Sequence, residues 1–446
     1  MAGFFIFYPL LLLMMTEELY KIYLQHPSVI TDTRKLKEGD LFFALKGANF
    51  NGNRFGSQAI EHGAAFVIID EKEFEIPGKT IFVDSVLIAL QELALYHRQQ
   101  FKTLPTGRQV PFLAITGSNG KTTTKELVHA VLSTTYKTYT TEGNLNNHIG
   151  IPLTILNIRK DAEIAVIEMG ANHQKEIEDY CKIVLPTHGL ITNCGKAHLE
   201  GFGSEEGVRK GKGELYDFIR DNNGTAFVMW DYDYLRQMSR GIHEIIKYGT
   251  HDAAIEGIVF ESEPFLTTKM VKGFSPVLIK TNLVGEYNLS NILASIAVAK
   301  HFGVEEQRII SAIENYFPTN SRSQLIEKGS NRIILDAYNA NPSSMKLAIE
   351  NFARMKGENK ILILGAMAEL GGESLSEHQL IIDLIKKYEW KDVVLVGGDF
   401  LNIHHPFHTF ENSAMAKDWF KKSKFENSLI LLKGSRSAQM EKVIEE

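Results

Sequence analysis

The sequence predicts an α/β protein of three domains. Short aliphatic runs alternate with segments whose apolar residues recur every three or four positions, the pattern of strands and helices in a parallel sheet. The chain has 446 residues, more than one core normally organises. Chain breakers in "KTLPTGRQVP" separate a first block from a second, and a third block follows Pro318. We therefore expect an apolar leader at 1–15 and domains at 16–108, 109–317 and 318–446.

Each block contains its own strand and helix patterns. The first has the strand-like runs "DLFFALKG", "AAFVIID" and "TIFVD" and closes with the helical "SVLIALQELALYHRQQF". The second starts with the strand "FLAIT" and a helix in which Leu127 and Val131, like Val128 and Leu132, lie four residues apart on one stripe. Strands "EIAVIEMG" and "HGLITNCG" follow, and then a helix from Ser290 to Phe302. The third block repeats the alternation in "RIILDAY", "KILILGAM", "DVVLVGG" and "SLILLKG".

The composition narrows the classes of partner. Hydrophobic residues make up 44% of the chain and charged residues 23%, as in globular proteins, and the formal net charge is -6. An acidic chain offers no electrostatic basis for binding nucleic acid, so anionic ligands must be held by local loops and helix ends. The two cysteines, Cys181 and Cys194, lack the spacing of a metal site or a disulfide framework. We expect a monomer in the reducing cytoplasm.

The N-terminus is unusual for such a protein. "MAGFFIFYPLLLLMM" is strongly apolar, but it has no basic n-region and no A-x-A-like cleavage site, and it is too short to span a bilayer. "TEELYKIYLQHP" then begins an amphipathic helix. Our preferred interpretation is that translation starts at Met14 or Met15; the alternative is a membrane-associating segment. We expect no stable membrane insertion, and N-terminal sequencing of the native protein decides between the two.

A glycine-rich loop stands between the strand "FLAIT" and the next helix. "AITGSNGKTTTKEL" has the Gly-Lys-Thr of a phosphate-binding loop, but Ile115 occupies the position of the first glycine in G-x-x-x-x-G-K-[ST]. Gly117 and Gly120 would let backbone N–H groups and the helix N-terminus approach phosphate. Lys121 would contact the outer phosphates and the Thr122 hydroxyl would bind Mg²⁺. The alternative is a glycine turn with an exposed lysine, and the strand–loop–helix context favours phosphate binding.

Polar residues after the later strands are candidate metal ligands. Mg²⁺ takes hard oxygen ligands and retains several waters. Glu168 ends the buried run "AVIEMG", where its carboxylate could complete such a site or could simply face water. His198, in the polar loop "TNCGKAHLEGFGS", leaves a metal role and a structural role both open. Lys210 and Lys212, in "VRKGKGELY", are explained equally well by a solvated basic helix face.

Taken together, these segments resemble the Mur ligases, the ATP-dependent amide ligases of peptidoglycan synthesis. That family uses a shortened loop, G-[TS]-x-G-K-[TS], which is the pattern of Gly117 to Thr122. The similarity runs from "TDTRKLKEGDLFFALKG" to "KGSRS". It implies an N-terminal domain that binds a UDP-linked substrate, a central P-loop ATPase domain with a mostly parallel sheet, and a Rossmann-like C-terminal domain that binds nucleotide and dipeptide.

Several segments narrow the resemblance within the family. "GNLNNHIGIP", "EMGANHQKEI", "AHLEGFGS", "LDAYNANPSSM", "AMAELG" and "KGSRS" are similar to the member that joins D-alanyl-D-alanine to UDP-N-acetylmuramoyl-tripeptide. The member that adds the third residue is expected to carry "YAHTPD"-like and "DNPR"-like motifs, and folylpolyglutamate synthases "DGAHNP"-like residues; none of these occurs. The resemblance implies ATP and two Mg²⁺ ions as cofactors.

The resemblance also implies roles at the reaction centre, where Lys121 contacts phosphate. Thr122 and Glu168 match the ligands of one Mg²⁺, and His198 matches a ligand of the second. Lys212 aligns with a lysine that several family members carry as a carbamate, in which CO₂ turns a cation into an anionic oxygen ligand. Carbamylation of Lys212 in this chain is a hypothesis.

The remaining implied contacts fall into three groups, and the resemblance carries all of them. Single asparagines are otherwise helix caps or loop residues, and an arginine and an aspartate at a strand end otherwise form surface ion pairs. The implied ATP-binding residues are Gly117, Ser118, Asn119, Gly120, Lys121, Thr122, Thr123, Asn288, Asn291, Arg322 and Asp336. Those for the UDP-linked substrate are Thr33, Arg34, Lys46, Gly47, Asn144, Asn146 and Asn147. Those for the dipeptide are Tyr338, Asn339, Asn341, Ser435 and Arg436.

Three rival functions stay open at the level of sequence. One is another amide ligase of the Mur or folylpolyglutamate type with a different amino acid donor. The others are a regulatory nucleotide switch and a UDP-sugar-binding module without catalysis. Phosphate release with and without each substrate discriminates among them. The sequence does not indicate whether the tripeptide ends in diaminopimelate or lysine.

Overall fold

The structure is a computed structural model that describes residues 4–102, 107, 109–319 and 321–445, with side chains from residue 14 onward. The predicted domain boundary at Arg108 lies outside the described residues, as do the first residues of the predicted leader. The helices are α1 Phe4–Gln25, α2 Gly56–Glu61, α3 Val86–Gln99, α4 Lys121–Leu132, α5 Gly150–Leu156, α6 Glu176–Val184, α7 Leu199–Phe202, α8 Glu205–Asp221, α9 Asp233–Met238, α10 Leu289–His301, α11 Glu306–Glu314, α12 Pro342–Arg354, α13 Ser374–Ile385 and α14 Ser413–Ser423. The strands are β1 Val29–Ile30, β2 Leu41–Phe43, β3 Lys46–Gly47, β4 Phe50–Asn51, β5 Phe66–Ile69, β6 Thr80–Phe82, β7 Phe112–Thr116, β8 Thr138–Thr140, β9 Ile164–Glu168, β10 His188–Ile191, β11 Thr225–Met229, β12 Glu244–Gly249, β13 Ile255–Glu261, β14 Thr267–Lys272, β15 Leu278–Lys280, β16 Gln324–Lys328, β17 Asn331–Asp336, β18 Lys360–Gly365, β19 Asp392–Val396, β20 His408–Phe410 and β21 Leu429–Lys433.

The chain divides into two compact units, each assembled from separate segments. Unit 1 consists of Met1–Ala114, Tyr136–Gly170 and Glu176–His188. Unit 2 consists of Ile115–Thr135, Ala171–Lys175 and Gly189–Glu446. The ranges of the three domains predicted from the sequence stay predictions.

Unit 1 contains a parallel sheet with the strand order β1-β2-β5-β6. Its register aligns Leu41 with Val29 on one side and with Phe66 on the other. The run "DLFFALKG", predicted as a single strand, divides into β2 and the short hairpin strand β3, which pairs antiparallel with β4. Phe42 and Val67 lie in the core of this sheet. Strands β8 and β9 also belong to unit 1 and pair in parallel.

The helices of unit 1 follow from local sequence signals. Helix α3 begins where the Ser85 hydroxyl accepts a hydrogen bond from the Ile88 N–H, which satisfies a donor at the helix N-terminus. Helix α1 starts before the amphipathic helix predicted from Thr16 and ends at Gln25, within the segment "TEELYKIYLQHP". Its Tyr20 and Tyr23 are buried against α3. Among the helices of the described chain, none combines the length and apolar character needed to cross a membrane.

Unit 2 contains strands of a mixed sheet in the order β15-β14-β13-β12-β11. Strands β11, β12 and β13 pair in parallel, as the alternation of strands and helices predicts. Strands β14 and β15 add an antiparallel extension that we did not predict. Register shifts in the pairing of β13 with β14 interrupt the alternation of buried and exposed residues along β13. The sequence pattern with a period of two residues, by which strands are predicted, is therefore weak here.

A second sheet of unit 2 is built from the C-terminal part of the chain. Its order is β16-β17-β21-β18-β19-β20, and all its pairs are parallel except that of β16 with β17. Ile333, Ile363, Val394 and Ile430 are fully buried in its core. Because most strand pairs given for the described residues are parallel, the predicted α/β class with a mostly parallel sheet is confirmed.

Candidate active site

The glycine-rich loop connects β7 to α4 and has the shape of a phosphate cradle. Gly117 has φ 143°, and a Cβ there would lie 2.0 Å from the Thr192 hydroxyl oxygen. Gly120 caps α4 at φ 79°, and a Cβ there would lie 2.6 Å from Oδ1 of Asn291. Both positions therefore require glycine, for backbone conformation and for space. The loop leads directly into the α4 N-terminus, whose N–H groups favour an anion.

The segment Thr192 to Gly195 forms hydrogen bonds with the glycine-rich loop. The Ser118 N–H donates to the Asn193 carbonyl at 2.8 Å, and the Ser118 hydroxyl donates to the Gly195 carbonyl at 2.8 Å. The Asn119 N–H donates to Oδ1 of Asn193 at 3.1 Å. We did not predict this support, because it joins residues far apart in sequence and no local pattern marks it.

The reactive side chains of the loop lie at the start of α4. The Lys121 ammonium donates to the Gly117 carbonyl at 2.7 Å and lies 3.3 Å from the Ser118 carbonyl, so it bends back over the cradle. Thr122 is buried and Thr123 is partly exposed in the first turn. This position puts a cation and a hydroxyl beside the space that the glycines leave open.

Glu168 belongs to unit 1 and ends β9, as predicted. It is 1% exposed, and its Oε1 accepts a hydrogen bond from the Asn146 amide at 2.8 Å. Its N–H donates to the Thr141 hydroxyl at 2.9 Å. Asn146, predicted as a substrate residue, therefore orients the Glu168 carboxylate in this structure.

His198 lies in unit 2 between β10 and α7. Its backbone is left-handed, with φ 52°, and its Nδ1 is 2.5 Å from Oε2 of Glu369. The contact with His198, with a smaller contribution from the Lys121 ammonium, lowers the pKa of the Glu369 carboxyl. Sequence reasoning missed Glu369, although it lies in the quoted segment "AMAELG".

The two lysines of "VRKGKGELY" have different environments on α8. Lys210 is exposed, whereas Lys212 is fully buried and its ammonium donates to the Ala171 carbonyl at 2.9 Å. The Lys212 nitrogen also lies 5.0 Å from the centre of the Phe202 ring. The solvated-face interpretation therefore holds for Lys210 and is wrong for Lys212.

Asn288 and Asn291 stand at the start of α10, and both are buried. The Asn291 amide donates to Oδ1 of Asn288 at 2.8 Å, and Oδ1 of Asn291 accepts from the Thr124 hydroxyl at 3.0 Å. The Asn288 amide donates to the Val284 carbonyl at 2.9 Å. This pair thus connects α10 with α4, directly behind Gly120.

Arg322, predicted to bind nucleotide, and Arg436, predicted to bind the dipeptide, both lie near the ring of Tyr338. The Arg322 guanidinium is 3.6 Å from the centre of the Tyr338 ring, and that of Arg436 is 5.9 Å away on the same ring. Asp336 forms an ion pair with the buried Lys433 at 2.6 Å rather than with an arginine. A guanidinium at this distance from an aromatic ring is attracted to the ring face.

The other residues predicted to bind the dipeptide have structural contacts. The Asn341 amide donates to Oδ1 of Asn119 at 2.8 Å, and its side chain also caps α12. Oδ1 of Asn339 accepts from the next N–H in the chain at 2.9 Å. Ser435 is buried, and its hydroxyl lies 3.0 Å from that of Ser437. Asn341 therefore links the glycine-rich loop to the C-terminal block.

The residues predicted for the UDP-linked substrate lie in unit 1. Thr33 and Arg34 form one 3₁₀ turn, in which the Arg34 guanidinium contacts Asp32 at 2.7 Å. Lys46 and Gly47 form β3, and the Lys46 ammonium lies 3.0 Å from Asp70.

Two more asparagines of unit 1 belong to this set of predicted substrate residues. Asn144 is exposed, and its carbonyl accepts from the N–H of Asn146 at 2.7 Å. The Asn147 side chain accepts from the Gly150 N–H at 2.9 Å at the start of α5. These contacts place both residues in a loop that caps a helix.

The chemistry of the predicted metal ligands fits Mg²⁺. The Thr122 hydroxyl and the Glu168 carboxylate are the hard oxygen donors that this ion prefers, and His198 offers a ring nitrogen. No group of three His, Cys, Asp or Glu side chains with metal-site geometry occurs among the described residues. At the cradle, Mg²⁺ would be bound by the Thr122 hydroxyl together with phosphate oxygens and water.

Comparison with known families agrees with this arrangement along the chain. Residues 28–98 match the profile of the Mur ligase family, catalytic domain. Residues 115–299 match that of the Mur ligase middle domain. Residues 321–436 match that of the Mur ligase, glutamate ligase domain.

Relatives and solved structures are similar over almost the whole length. The UDP-N-acetylmuramoyl-tripeptide–D-alanyl-D-alanine ligase of Bacillus subtilis is 35% identical over 436 residues, covering 94% of this chain and 92% of that protein. MurF from Acinetobacter baumannii superposes with a TM-score of 0.83 at 31% identity, covering 94% of this chain and 92% of that one. MurF ligase from Thermotoga maritima in complex with ADP superposes with a TM-score of 0.82 at 27% identity, covering 94% and 97%. Together with the phosphate cradle after β7, these matches show that the chain belongs to the Mur ligase family.

Proposed function

We propose that this protein uses ATP to join D-alanyl-D-alanine to UDP-N-acetylmuramoyl-tripeptide during peptidoglycan precursor synthesis. The observation that carries the proposal is the cradle between β7 and α4, with Lys121 beside it, in a chain of the Mur ligase family. The relative from Bacillus subtilis bears the name of this reaction and is similar across 94% of the chain.

The first step forms an acyl phosphate. A carboxylate oxygen of the tripeptide attacks the γ-phosphorus of ATP, and the bond between that phosphorus and the bridging oxygen breaks to release ADP. The Lys121 ammonium and the N–H groups at the start of α4 would stabilise the negative charge on the transferring group. The substrate supplies the nucleophile, so the protein needs none.

The second step forms the amide. The amine of D-alanyl-D-alanine attacks the acyl carbon, the tetrahedral intermediate collapses, phosphate leaves and the amine loses its proton. Exclusion of water is essential here, because water would hydrolyse the acyl phosphate.

Metal binding is assigned to four side chains of the chain. When bound, Mg²⁺ neutralises charge on phosphate oxygens. We assign Thr122 and Glu168 to one ion, and His198 and a carbamylated Lys212 to a second. The complete burial of Lys212 supports a specific role for this side chain rather than a solvated one.

Substrate and nucleotide binding are assigned to the three predicted domains. Residues 16–108 bind the UDP-linked substrate through Thr33, Arg34, Lys46 and Gly47, and the loop of Asn144, Asn146 and Asn147 contacts its peptide. Residues 109–317 bind ATP through the loop Gly117–Thr123 together with Asn288 and Asn291. Residues 318–446 contribute Arg322 and Asp336 to nucleotide binding, and they bind the dipeptide through Tyr338, Asn339, Asn341, Ser435 and Arg436. The protein acts as a cytoplasmic monomer.

Phosphate release tests the reaction. The protein is incubated with ATP and UDP-N-acetylmuramoyl-tripeptide, with and without D-alanyl-D-alanine, and with a single D-alanine as the matched control. We expect turnover only with the dipeptide. Release with a single amino acid would indicate a different ligase, and release without either substrate would indicate a nucleotide switch. Parallel assays with tripeptides ending in diaminopimelate and in lysine identify the third residue.

Lys212 is tested separately. We expect Lys212→Ala to lose activity and to regain part of it with a small carboxylate such as formate, which replaces the anionic oxygen. Lys210→Ala, on the exposed side of the same helix, is the control and should keep full activity. Undiminished activity of Lys212→Ala would contradict the assignment. We also expect intact protein in bicarbonate to show a mass increase that is absent in Lys212→Ala, which would support carbamylation.

A further inference from the structure

We infer that Lys433 is a positioning residue for Arg322. Its ammonium holds the carboxylate of Asp336. That carboxylate accepts the N–H of Ser323, which follows Arg322 in the chain. The inference deepens the proposed function and rests on it in one respect, the assignment of Arg322 to nucleotide binding.

The ion pair of Lys433 with Asp336 is short and largely buried. The two residues lie opposite each other on the neighbouring parallel strands β21 and β17. The ammonium is 2.6 Å from Oδ2, and the lysine side chain is 2% exposed and that of the aspartate 17%. The ammonium also lies 3.4 Å from the Asn339 carbonyl. A cation buried to this extent needs an anionic partner, so it fixes the carboxylate, while its burial leaves it no surface for contact with a substrate.

The other oxygen of Asp336 holds the segment that precedes β16. Oδ1 accepts from the Ser323 N–H at 3.3 Å, and the Ala337 N–H donates to the Ser321 carbonyl at 2.9 Å. Ser321 and Ser323 have left-handed backbones, with φ 56° and 49°. Serine adopts this conformation at a cost, and it persists only where neighbouring contacts hold it. The contacts at the end of β17 therefore determine the path of the segment that contains Arg322.

Arg322 lies within this segment and contacts a ring close to Asp336. Its guanidinium carbon is 3.6 Å from the centre of the Tyr338 ring, and Tyr338 is two residues after Asp336. If the ammonium of Lys433 were removed, the Asp336 carboxylate would lack its cation and turn toward water, and the Ser323 N–H would lose its acceptor. The segment would then adopt other conformations, and Arg322 would no longer be held on the ring.

Two other roles for Lys433 make different predictions. The lysine could contribute only to the stability of the C-terminal sheet, in which case its replacement leaves Arg322 on the ring in the folded protein. Its charge could attract the nucleotide directly, in which case the replacement weakens ADP binding equally with and without Arg322. As a positioning residue, Lys433 affects ADP binding only while Arg322 is present.

The position of Arg322 is measured without nucleotide or turnover. Protein labelled with ¹⁵N in arginine is examined by NMR of the side-chain Nε–H groups, and Arg322→Lys assigns the signal. A proton held over the face of an aromatic ring resonates upfield of its usual position. We expect such an upfield signal in the unaltered protein and its loss in Lys433→Met. The double variant Asp336→Leu/Lys433→Met leaves no unpaired charge and keeps the fold, and we expect the same loss there.

Lys360→Met is the matched control. Lys360 lies on the neighbouring strand β18 and is partly buried, and its ammonium donates to the Ala353 carbonyl at 2.6 Å. It is aligned with Leu429 at the start of β21, whereas Lys433 is at the end of that strand. We expect the signal of Arg322 to be unchanged in this variant.

ADP affinity is then measured by isothermal titration calorimetry. We expect Arg322→Ala to weaken ADP binding at least about tenfold and Lys433→Met about fivefold, and the double variant to equal Arg322→Ala within about twofold. An upfield signal that persists in either folded variant of the ion pair overturns the inference. Losses of ADP affinity that multiply in the double variant overturn it too, because Lys433 then acts without Arg322. An unchanged ADP affinity in Arg322→Ala contradicts the nucleotide assignment in the proposed function, whereas the NMR result decides the positioning role by itself.

Discussion

At the scale of single residues, Gly117 decides whether the loop after β7 can form. Its φ of 143° is outside the range that other residues adopt, and an added Cβ would lie 2.0 Å from the Thr192 hydroxyl. We expect Gly117→Ala to weaken binding of an ATP analogue at least about tenfold, because alanine is strained at this φ and its Cβ would displace the Thr192 hydroxyl. Isothermal titration calorimetry with ADP measures the change.

The control for this variant is another left-handed glycine. Gly303 follows α10 with φ 75°, and an added Cβ there would meet no atom within 4 Å. We expect Gly303→Ala to cost about 1 kcal/mol of stability from backbone strain, with unchanged ADP affinity. Equal ADP affinities for the two variants would show that crowding at Thr192 does not shape the cradle.

The exposure of the two lysines on α8 could be predicted only in part from the sequence. Both were explained by a solvated face, yet Lys212 is fully buried. The helical period contained the signal, because Val208, Lys212, Leu215 and Ile219 follow one another at spacings of three and four residues, and all four are buried. Glu369 is different: its partner His198 is distant in the chain, and no periodicity relates them.

At the scale of elements, the cap of α12 also contacts the phosphate loop. The Asn341 side chain accepts from the Ser344 N–H, and its amide donates to Oδ1 of Asn119. We expect Asn341→Ala to lose about 1 kcal/mol of stability through the cap. We also expect a roughly fivefold loss of ADP affinity through Asn119, equal to about 1 kcal/mol for one hydrogen bond.

Ser344→Ala provides the matched control. The Ser344 hydroxyl accepts from the Asn341 N–H at 3.1 Å, so this variant removes the other half of the capping box and leaves the Asn119 contact. We expect a loss of stability with ADP affinity unchanged. If both variants affect ADP equally, the contact with Asn119 makes no contribution of its own.

Helices α3 and α6 depend on one buried cation. Arg98 is 0% exposed, and its guanidinium donates to the carbonyls of Val184 and Leu185 at 2.7 and 2.9 Å, which satisfies the C-terminus of α6. Its guanidinium carbon lies 3.7 Å from the centre of the Phe112 ring, and burial lowers its pKa to about 9.

Replacement of this arginine tests the helix contact. We expect Arg98→Met to lose about 2 kcal/mol in urea unfolding, because two buried carbonyls lose their donors while the cost of burying a charge is recovered. The exposed Arg240→Met should change stability by less than about 0.5 kcal/mol. A neutral or stabilising effect of Arg98→Met would mean that charge burial outweighs the two hydrogen bonds.

The elements that were predicted correctly are those with strong local periodicity. The run "FLAIT" is β7, Phe112–Thr116, and the helix after the loop is α4, Lys121–Leu132. The missed elements are short or irregular. Strand β14 pairs with β13 across register shifts, and β2 ends at Phe43 before the hairpin of β3 and β4. Such features are set by tertiary pairing, which a local pattern does not contain.

At the scale of the whole molecule, buried imidazoles make stability depend on pH. His97 is 4% exposed, its Nε2 lies 2.8 Å from the Ile158 carbonyl, and burial lowers its pKa from 6.5 to about 4. The cations Arg159 and Lys160 contribute in the same direction. Burial also lowers the pKa of His378 and of His301. Each of these groups is neutral in the folded protein at a pH where the unfolded chain already binds a proton.

We therefore expect stability to fall as the pH decreases from 6.5 toward 4. Above pH 6.5 His97 is neutral in both the folded and the unfolded state, so it does not lower the free energy of unfolding. Between pH 6.5 and 4 only the unfolded state binds the proton, and the free energy of unfolding falls by up to roughly 3 kcal/mol because of His97. In His97→Gln, whose amide can still donate to Ile158, this part of the pH dependence should disappear. The exposed His62→Gln should retain it. Urea unfolding at several pH values measures both slopes, and equal slopes for His97→Gln and His62→Gln would contradict the assignment of acid sensitivity to His97.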